Sequence, residues 1–326
     1  MRQHSQSTRK QEFLVYFPYL REKQEELLSV RDGGFLSDLT IPIFEPITLS
    51  DTNQTRMEHA IQNGRRFAII VNSAHGKPQP PRPNEAAHVV HALPPDRVLP
   101  ALEIRPGTRI AQIAWFVGEF LDRRCLVVHR NHQYTSTELI QQLEPLGESV
   151  IHVTIDGGVP EEVVRQLPAQ ARVLLRGGFK HQPTNADYQE QSHFDDLLYT
   201  FQNRGFDGFG DFTTVRDQFQ AGGGAAHTIA LHLTEVAGGR ILANHFISHP
   251  PHIRGNNRRK YLEAVERLVE YVSERPGFDT VGVAGFRDSW ETRSNPGFGK
   301  PKRWSIQHHF EIIERELSRR GETPIM

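Results

Sequence analysis

The sequence predicts an α/β protein, specifically a (β/α)8 TIM-like barrel with a C-terminal β-hairpin and helical elaboration. Short apolar, β-branched runs recur about every 25 to 35 residues, and each is followed by Gly, Pro, Asn or Asp and then by a helical pattern. Eight such units suit a closed parallel barrel, and an open parallel sheet with extra strands is the alternative. The runs are Phe13–Tyr19, Leu39–Glu45, Phe67–Asn72, Val98–Ile104, Cys125–His129, Val150–Asp156, Val173–Arg176 and Gly208–Val215.

The segments between these runs have the period of amphipathic helices. After Pro106-Gly107, for example, Ile110, Ile113 and Val117 fall on one stripe, as expected of a helix that coats a sheet. The proline-rich segment Lys77–Pro83 is too stiff and too poor in donors for a helix, so it is predicted to be a loop after the third strand.

The pattern changes after the eighth run. Thr228–Val236 and Arg240–Ile247, joined by Gly238-Gly239, predict a hairpin. A long amphipathic helix should follow with Tyr261, Val265, Leu268 and Val272 facing inward, then a short strand Thr280–Ala284 and a final helix that buries Ile306, Phe310, Ile313 and Leu317. We expect residues 1–12 to be a disordered leader and residues 13–326 to form one domain, with the elaboration beginning near residue 222.

Composition limits the class of protein. The chain has 326 residues, a formal net charge of −1 and one cysteine, Cys125, inside an apolar run. These features favour a reducing, cytoplasmic compartment, and no apolar stretch approaches the roughly 20 residues that span a bilayer. The near-zero charge argues against bulk binding of nucleic acid, although a cluster of Arg254, Arg258, Arg259 and Lys260 predicts an accessible basic surface.

Polar residues close most of the predicted strands. In a barrel the carboxyl ends of the strands converge on one face, so these residues together indicate a site. Taken singly, each has a simpler interpretation as a helix cap or turn former. They are Glu45, Asn72, Glu103, His129, Asp156, Arg176 and Asp211.

The residue types suggest two kinds of chemistry. Carboxylates can hold a divalent cation such as Mg²⁺ or Mn²⁺ through oxygen ligands, which makes Glu45, Glu103, Asp156 and Asp211 candidate metal ligands. Carboxylates and imidazole can also move protons, which makes Asp211, Glu45, Glu103 and His129 candidate catalytic residues. Asp211 ranks first because Gly208 and Gly210 precede it and would let a ligand approach closely.

Substrate-binding residues are predicted on the same face. The Arg176 guanidinium and the amides of Gly177-Gly178 suit a phosphate or carboxylate, and Asn72 is a further candidate. No P-loop or dinucleotide fingerprint is present, so no nucleotide cofactor is expected. His308-His309 lack the spacing of a helix-borne zinc motif and are expected to be satisfied structural histidines.

Four short segments carry a resemblance: Tyr16–Arg21 with Gln24 and Glu25, Pro42–Pro46, Gly208–Phe212 and His245–Ser248. In this order they resemble the phage and bacterial beta-protein family. Members of that family occur in phages and bacterial genomes, often near mobile or defence-like genes, so the resemblance implies a role in phage–host conflict. It also adds Tyr19 and Arg21 to the candidate substrate-binding residues.

The leading hypothesis is a barrel hydrolase that acts on a phosphate-containing substrate, either a nucleotide or a nucleic-acid phosphodiester, with a divalent metal at the strand-end carboxylates. A second hypothesis is a non-catalytic binding or sensing subunit that works with a partner effector protein. A third is a metal-free acid/base enzyme that uses two carboxylates on a small metabolite or sugar. None requires a membrane, and all allow a homo-oligomer.

Overall fold

The computed structural model describes residues 16–215, 217, 219, 227–250 and 255–321. Eight parallel strands form a nearly closed barrel in the order β1-β2-β3-β4-β5-β6-β7-β9, with helices between them. The predicted TIM-like barrel is therefore confirmed. The strands are β1 (Tyr19–Arg21), β2 (Ile43–Glu45), β3 (Phe67–Ile70), β4 (Val98–Ile104), β5 (Cys125–His129), β6 (Val150–Ile155), β7 (Ala171–Arg176) and β9 (Gly208–Asp211).

Ten α-helices are assigned within the described residues. They are α1 (Gln24–Arg31), α2 (Asp51–Gln62), α3 (Pro83–Ala92), α4 (Ile110–Glu119), α5 (Ser136–Leu143), α6 (Glu161–Arg165), α7 (Leu197–Thr200), α8 (Asn257–Ser273), α9 (Val281–Glu291) and α10 (Gly299–Arg320). The first seven follow barrel strands or their loops, and the last three belong to the C-terminal part.

The barrel closes through residues that precede β1. Tyr16 makes parallel bridges to Thr40 and to Phe209, and the Phe17 amide donates to the Phe209 carbonyl at 2.8 Å. Gly210 makes this approach feasible, because a Cβ there would lie 2.2 Å from the Phe17 carbonyl oxygen. The glycine that was expected to admit a ligand therefore admits the chain's own backbone instead.

Two apolar layers define the inside and the outside of the barrel. The inner layer contains strand side chains and their immediate neighbours, among them Ile43, Ile70, Ala101, Val128 and Val153. The outer layer joins the alternate strand positions to helix residues. Because side chains alternate across a strand, membership of one layer fixes the direction of every second residue.

The C-terminal part adds a second sheet. The predicted hairpin is confirmed as β10 (Ala230–Ala237) and β11 (Arg240–Ile247), with positive φ at Gly238 and Gly239. A strand that the sequence did not predict, β8 (Gln191–Asp195), pairs antiparallel with β11. Residues 222–226, where the elaboration was expected to begin, lie outside the described residues, as does the predicted leader.

The last three helices correct one assignment. The strand predicted at Thr280–Ala284 is instead the start of α9, where the Thr280 hydroxyl accepts from the Val283 amide at 3.2 Å. This helix cap satisfies a backbone donor that a strand would have to pair elsewhere. The expected inward face of α8 is observed, and α10 buries Ile306, Phe310, Ile313 and Leu317.

The predicted basic surface at the start of α8 also needs correction. Lys260 is fully buried, and its Nζ donates to the His227 carbonyl at 2.8 Å. Arg258 and Arg259 are exposed, and Arg254 lies outside the described residues. The four residues therefore do not form one accessible basic surface, because the Lys260 ammonium group is buried and bonded inside the protein.

Candidate functional site

The carboxyl end of the barrel holds a cluster of charged side chains that point along the inner face. Glu45 and Glu103 are each 2% exposed, and Arg21 is 5% exposed. Each lies two residues beyond an inner-layer side chain, at Ile43, Ala101 and Tyr19 respectively, so strand alternation turns them toward the barrel axis. We call this cluster, with Tyr19, Asn72, Arg105 and Arg130, the mouth.

Glu103 lies at the centre of several contacts. The Tyr19 hydroxyl donates to its Oε2 at 3.0 Å, and Arg130 Nε lies 3.1 Å from its Oε1. Arg105 Nη1 lies 3.8 Å from the same Oε1. The Asn72 side chain donates to the Glu103 carbonyl and accepts from the Glu103 amide, both at 2.8 Å. Asn72 therefore positions the strand end rather than presenting its amide to a ligand.

Glu45 connects the buried mouth to a more exposed side chain. His75 Nδ1 lies 2.7 Å from Glu45 Oε1, and the Ala74 amide donates to the same oxygen at 3.1 Å. Arg21 Nε lies 3.5 Å from Glu45 Oε2. Since the His75 side chain is 38% exposed, it links a buried carboxylate to the surface.

Two described residues after β9 cover one side of the mouth. Arg130 Nη1 donates to Asp217 Oδ1 at 2.8 Å, and Arg21 Nη2 donates to the Asp217 carbonyl. The Phe219 ring stacks on His75 with centroids 4.8 Å apart, and Lys23 Nζ lies 4.9 Å from the Phe219 centroid. Burial, and after it the charge of Lys302, lowers the pKa of Lys23.

Burial and neighbouring charges shift the pKa values of two groups at the mouth, Tyr19 and Arg130. Burial and the Glu103 carboxylate raise the pKa of Tyr19 well above its usual value, so its hydroxyl remains a donor at neutral pH. Burial opposes ionisation of Arg130, but Glu103, Tyr19 and Asp217 outweigh it and raise the pKa of Arg130. The mouth therefore presents fixed cationic donors around two glutamates.

Asp211 lies elsewhere, on the outer face of β9. Its Oδ1 accepts from the Tyr16 hydroxyl at 2.9 Å and from the Thr213 amide at 2.7 Å, while His309 Nε2 lies 3.0 Å from its Oδ2. His309 Nδ1 lies 3.1 Å from the Thr234 hydroxyl. Asp211 thus joins the barrel to α10 and β10, and its surroundings are those of a structural aspartate. The expectation that His308-His309 are satisfied is confirmed.

Asp156 and Arg176 form another outer cluster. Asp156 Oδ2 accepts from Arg176 Nε at 2.6 Å, and its Oδ1 accepts from Arg204 Nη2 at 2.8 Å. The hydrogen bonds from Arg204 and Arg176 lower the pKa of Asp156. Arg176 also donates to Asp195 and Asp196 at 3.0 and 3.2 Å. Its three carboxylate partners hold Arg176 away from the mouth.

His129 belongs to a chain of three histidines on the outer face. His152 Nε2 lies 3.2 Å from the Pro168 carbonyl, which can only accept, so His152 Nδ1 must accept from His129 Nε2 at 2.9 Å. His129 Nδ1 then accepts from His132 Nε2 at 2.9 Å, and His132 Nδ1 accepts from the Tyr134 amide. All three rings are neutral in this arrangement. Burial lowers the pKa of His129 well below its usual value.

The expectation that Glu45, Glu103, Asp156 and Asp211 share one cavity is therefore corrected. Glu45 and Glu103 lie on the inner face, whereas Asp156 and Asp211 lie on the outer face. The reason is strand parity: Asp156 follows Ile155, and Asp211 follows Gly210, so each points away from the barrel axis. Of the predicted site residues, the structure brings together Tyr19, Arg21, Asn72, Glu45 and Glu103 and leaves out His129, Asp156, Arg176 and Asp211.

Sequence reasoning missed Arg105, Arg130, His75 and Asp217. Arg105 and Arg130 each lie two residues beyond a side chain that points inward, Glu103 and Val128, but strands that are apolar at every position give no alternation from which that direction could be read. His75 and Asp217 lie in loops, where no periodicity indicates direction. Comparison with protein-family models and with curated proteins finds no match to this chain. Within the described residues, no helix combines the length and the apolar character needed to cross a membrane.

Proposed function

We propose that this protein is a barrel enzyme that acts on a phosphate-containing substrate, a nucleotide or nucleic-acid phosphodiester, at the mouth. The observation that carries the proposal is the convergence of Arg21, Arg105 and Arg130 on two buried glutamates at the carboxyl end of the strands. That end of a TIM barrel is where catalytic residues gather. Guanidinium groups bind phosphate oxygens through paired N–H donors.

One of these arginines has a side-chain nitrogen that donates no hydrogen bond to the described residues. Arg105 Nη1 is buried and makes no hydrogen bond within the described part of the chain, although Nη2 donates to the Ser73 carbonyl at 3.2 Å. A buried donor without an acceptor costs about 1 to 3 kcal/mol, which a phosphate oxygen would recover. Arg105 is therefore the first side chain expected to bind the substrate phosphate.

The two glutamates suit proton transfer. Glu45 contacts His75, which is partly exposed, so a proton taken up at the mouth has a route to solvent. Glu103 contacts the Tyr19 hydroxyl and the Arg130 guanidinium, which hold its carboxylate in one orientation. These contacts support Glu45 as the proton-transfer group and Glu103 as the group that orients the arginines.

The proposal includes a divalent cation, but with fewer protein ligands than the sequence suggested. Only Glu45 and Glu103 of the four candidate ligands lie at the mouth, and guanidinium groups flank both. Mg²⁺ commonly uses one or two carboxylates together with substrate phosphates and water. A cation here would therefore bind together with the phosphate, and Glu45 and Glu103 would hold it.

The first experiment measures binding of inorganic phosphate by isothermal titration calorimetry. We expect Arg130→Lys, which keeps the charge but loses the planar fork, to weaken binding about tenfold. Arg319→Gln, at an exposed ion pair on α10, is the control and should bind as the parent does. Equal affinity in all three proteins would overturn the proposed phosphate site.

The second experiment measures hydrolysis of bis(p-nitrophenyl) phosphate with and without Mg²⁺ or Mn²⁺. Glu103→Gln keeps an acceptor for Tyr19 but removes a negative charge beside the bound phosphate. We expect this variant to bind phosphate more tightly than the parent and to lose hydrolysis by at least a hundredfold. Parent-like turnover in Glu103→Gln would remove Glu103 from the mechanism.

The salt-bridged mouth also favours the second candidate function, a binding or sensing subunit that works with a partner effector protein. Both glutamates already have cationic partners, which is the arrangement expected of a site that binds without reacting. Tight phosphate binding by the parent, with no hydrolysis in either metal, would favour this function. The role in phage–host conflict rests on the family resemblance alone.

A further inference from the structure

Beside the mouth, a cleft of about 610 Å³ opens between the first turns of α3 and α4. Its size is that of a small-molecule site. Trp115 from α4 lines it together with Arg82 and Arg109, the residues that precede the two helices. Trp115 is half-buried, with part of the ring packed against the outer apolar layer.

The two arginines are unusual at these positions. Ser, Thr, Asp and Asn are preferred before the first turn of a helix, and a cation there opposes the helix dipole. Arg82 and Arg109 are exposed, and neither guanidinium has an ion pair or hydrogen bond among residues 16–215 and the other described segments. Helix stability therefore does not explain them.

The cleft meets the mouth at Asn72. Asn72 lines the cleft, and its side chain bonds both backbone polar groups of Glu103. Arg105, whose spare donor faces the mouth, lies on the loop between β4 and α4, four residues before Arg109. Arg105 thus lies on the same loop as Arg109, which lines the cleft.

We infer that the cleft binds a nucleotide unit that neighbours the phosphate held at the mouth, so that the substrate is a single-stranded oligonucleotide. An aromatic face with flanking cations suits a base stacked on Trp115 and a phosphate between the two arginines. A mononucleotide would fill only one of the two positions. The inference rests on the proposed function, because it takes the mouth as the place of the reacting phosphate.

The test is binding of fluorescein-labelled hexathymidylate, measured by anisotropy over a range of salt concentrations. Trp115→Ala should weaken binding about tenfold, since loss of one stacked base has an effect of this order. Arg82→Gln combined with Arg109→Gln should weaken binding and reduce the slope of log K against log salt by about 0.7, because the two arginines share one phosphate and a single strand gives about 0.7 per phosphate neutralised.

The control removes the same charge elsewhere. Arg97→Gln combined with Arg319→Gln alters two exposed ion pairs, one of them at the amino end of β4, and should leave both the affinity and the slope unchanged. Circular dichroism should show that every variant is folded, since the side chains of Arg82 and Arg109 are exposed.

The outcomes separate the cleft from the mouth. If Arg130→Lys weakens hexathymidylate binding while the cleft variants bind as the parent does, the inference fails and the proposed function stands. If the cleft variants weaken binding while Arg130→Lys leaves inorganic phosphate unaffected, the cleft binds an oligonucleotide and the proposed function of the mouth fails. A parent protein that does not bind hexathymidylate overturns the inference.

Discussion

Asp211 illustrates how the neighbours of a residue decide its role. Its carboxylate is 3% exposed and accepts from Tyr16 and the Thr213 amide, with His309 at its second oxygen. Tyr16 and His309 come from distant parts of the chain, whereas Thr213 is two residues away. The sequence offered a strand end and two nearby glycines, a setting that suits either a catalytic or a structural aspartate.

Asp211→Asn is expected to destabilise the fold rather than to impair the mouth. The variant replaces one carboxylate oxygen by an NH₂ group, so one of the buried groups that contact Asp211 is left without an acceptor, which costs about 1 to 3 kcal/mol. The matched variant Asp156→Asn alters a carboxylate that is 23% exposed and should cost about 1 kcal/mol or less. Urea unfolding measures both.

Phosphate titration of the folded variants completes this test. We expect Asp211→Asn to bind inorganic phosphate as the parent does under conditions where it is folded. A variant with parental stability that lost hydrolysis by orders of magnitude would instead restore Asp211 as a catalytic residue.

At the scale of elements, local sequence signals predicted the hairpin turn best. Gly238 and Gly239 adopt φ of +57° and +73°, as a two-residue hairpin turn between β10 and β11 requires. Long-range pairing was harder to predict. β8 has the polar sequence QSHFD and forms only because β11 offers an edge.

The hairpin turn gives a prediction with an internal control. Asn tolerates the left-handed conformation and is favoured at the first position of this turn, so Gly238→Asn should leave stability unchanged or slightly raised. Gly239→Val places a β-branched residue at positive φ and should cost about 1 to 2 kcal/mol. Thermal unfolding distinguishes them, and equal stability of the two variants would contradict the turn geometry.

At the scale of the whole molecule, buried histidines recur in both the barrel and the C-terminal part. Burial lowers the pKa of His132 and His245 to about 4 and that of His152 and His308 to about 3. Each of these four histidines is therefore neutral in the folded protein at neutral pH. Their unfolded pKa is near 6.5.

These shifts predict a loss of stability in mild acid. Between pH 6.5 and about 4 the unfolded chain binds more protons than the folded one, so the stability present above pH 6.5 is lost as the pH falls toward 4. Urea midpoints should therefore fall steadily from pH 7 to pH 5. A midpoint independent of pH over this range would show that the histidines protonate without cost in the folded state.

The variant His132→Gln localises this effect. It interrupts the chain from Tyr134 through His129 to His152, so it should be less stable than the parent at pH 7. It also removes one group that must stay neutral, so its stability should fall less between pH 7 and pH 5. An unchanged pH dependence would assign the effect to the other histidines.

Part of the candidate site could be predicted from the sequence. Glu45 and Glu103 were correctly placed at the carboxyl end of the barrel, because the repeat of strand and helix orders the strand ends. Arg130 was missed, and His129 beside it was chosen instead. His129 ends β5 and points outward, whereas Arg130 follows it and points inward, two residues beyond Val128.

The sequence by itself determined the number of strands in the barrel, their direction, the hairpin and most helices, because these depend on local periodicity and turn residues. Only the tertiary structure decided which polar residues meet. Strands that are buried on both sides are apolar at every position, so no alternation in Leu126–Val128 or Val173–Leu175 distinguishes the inner face from the outer. Closure of the barrel decides which face of each strand points inward. As a result Glu45, Glu103, Arg21 and Arg130 form one cluster, and Asp156 and Asp211 lie outside it.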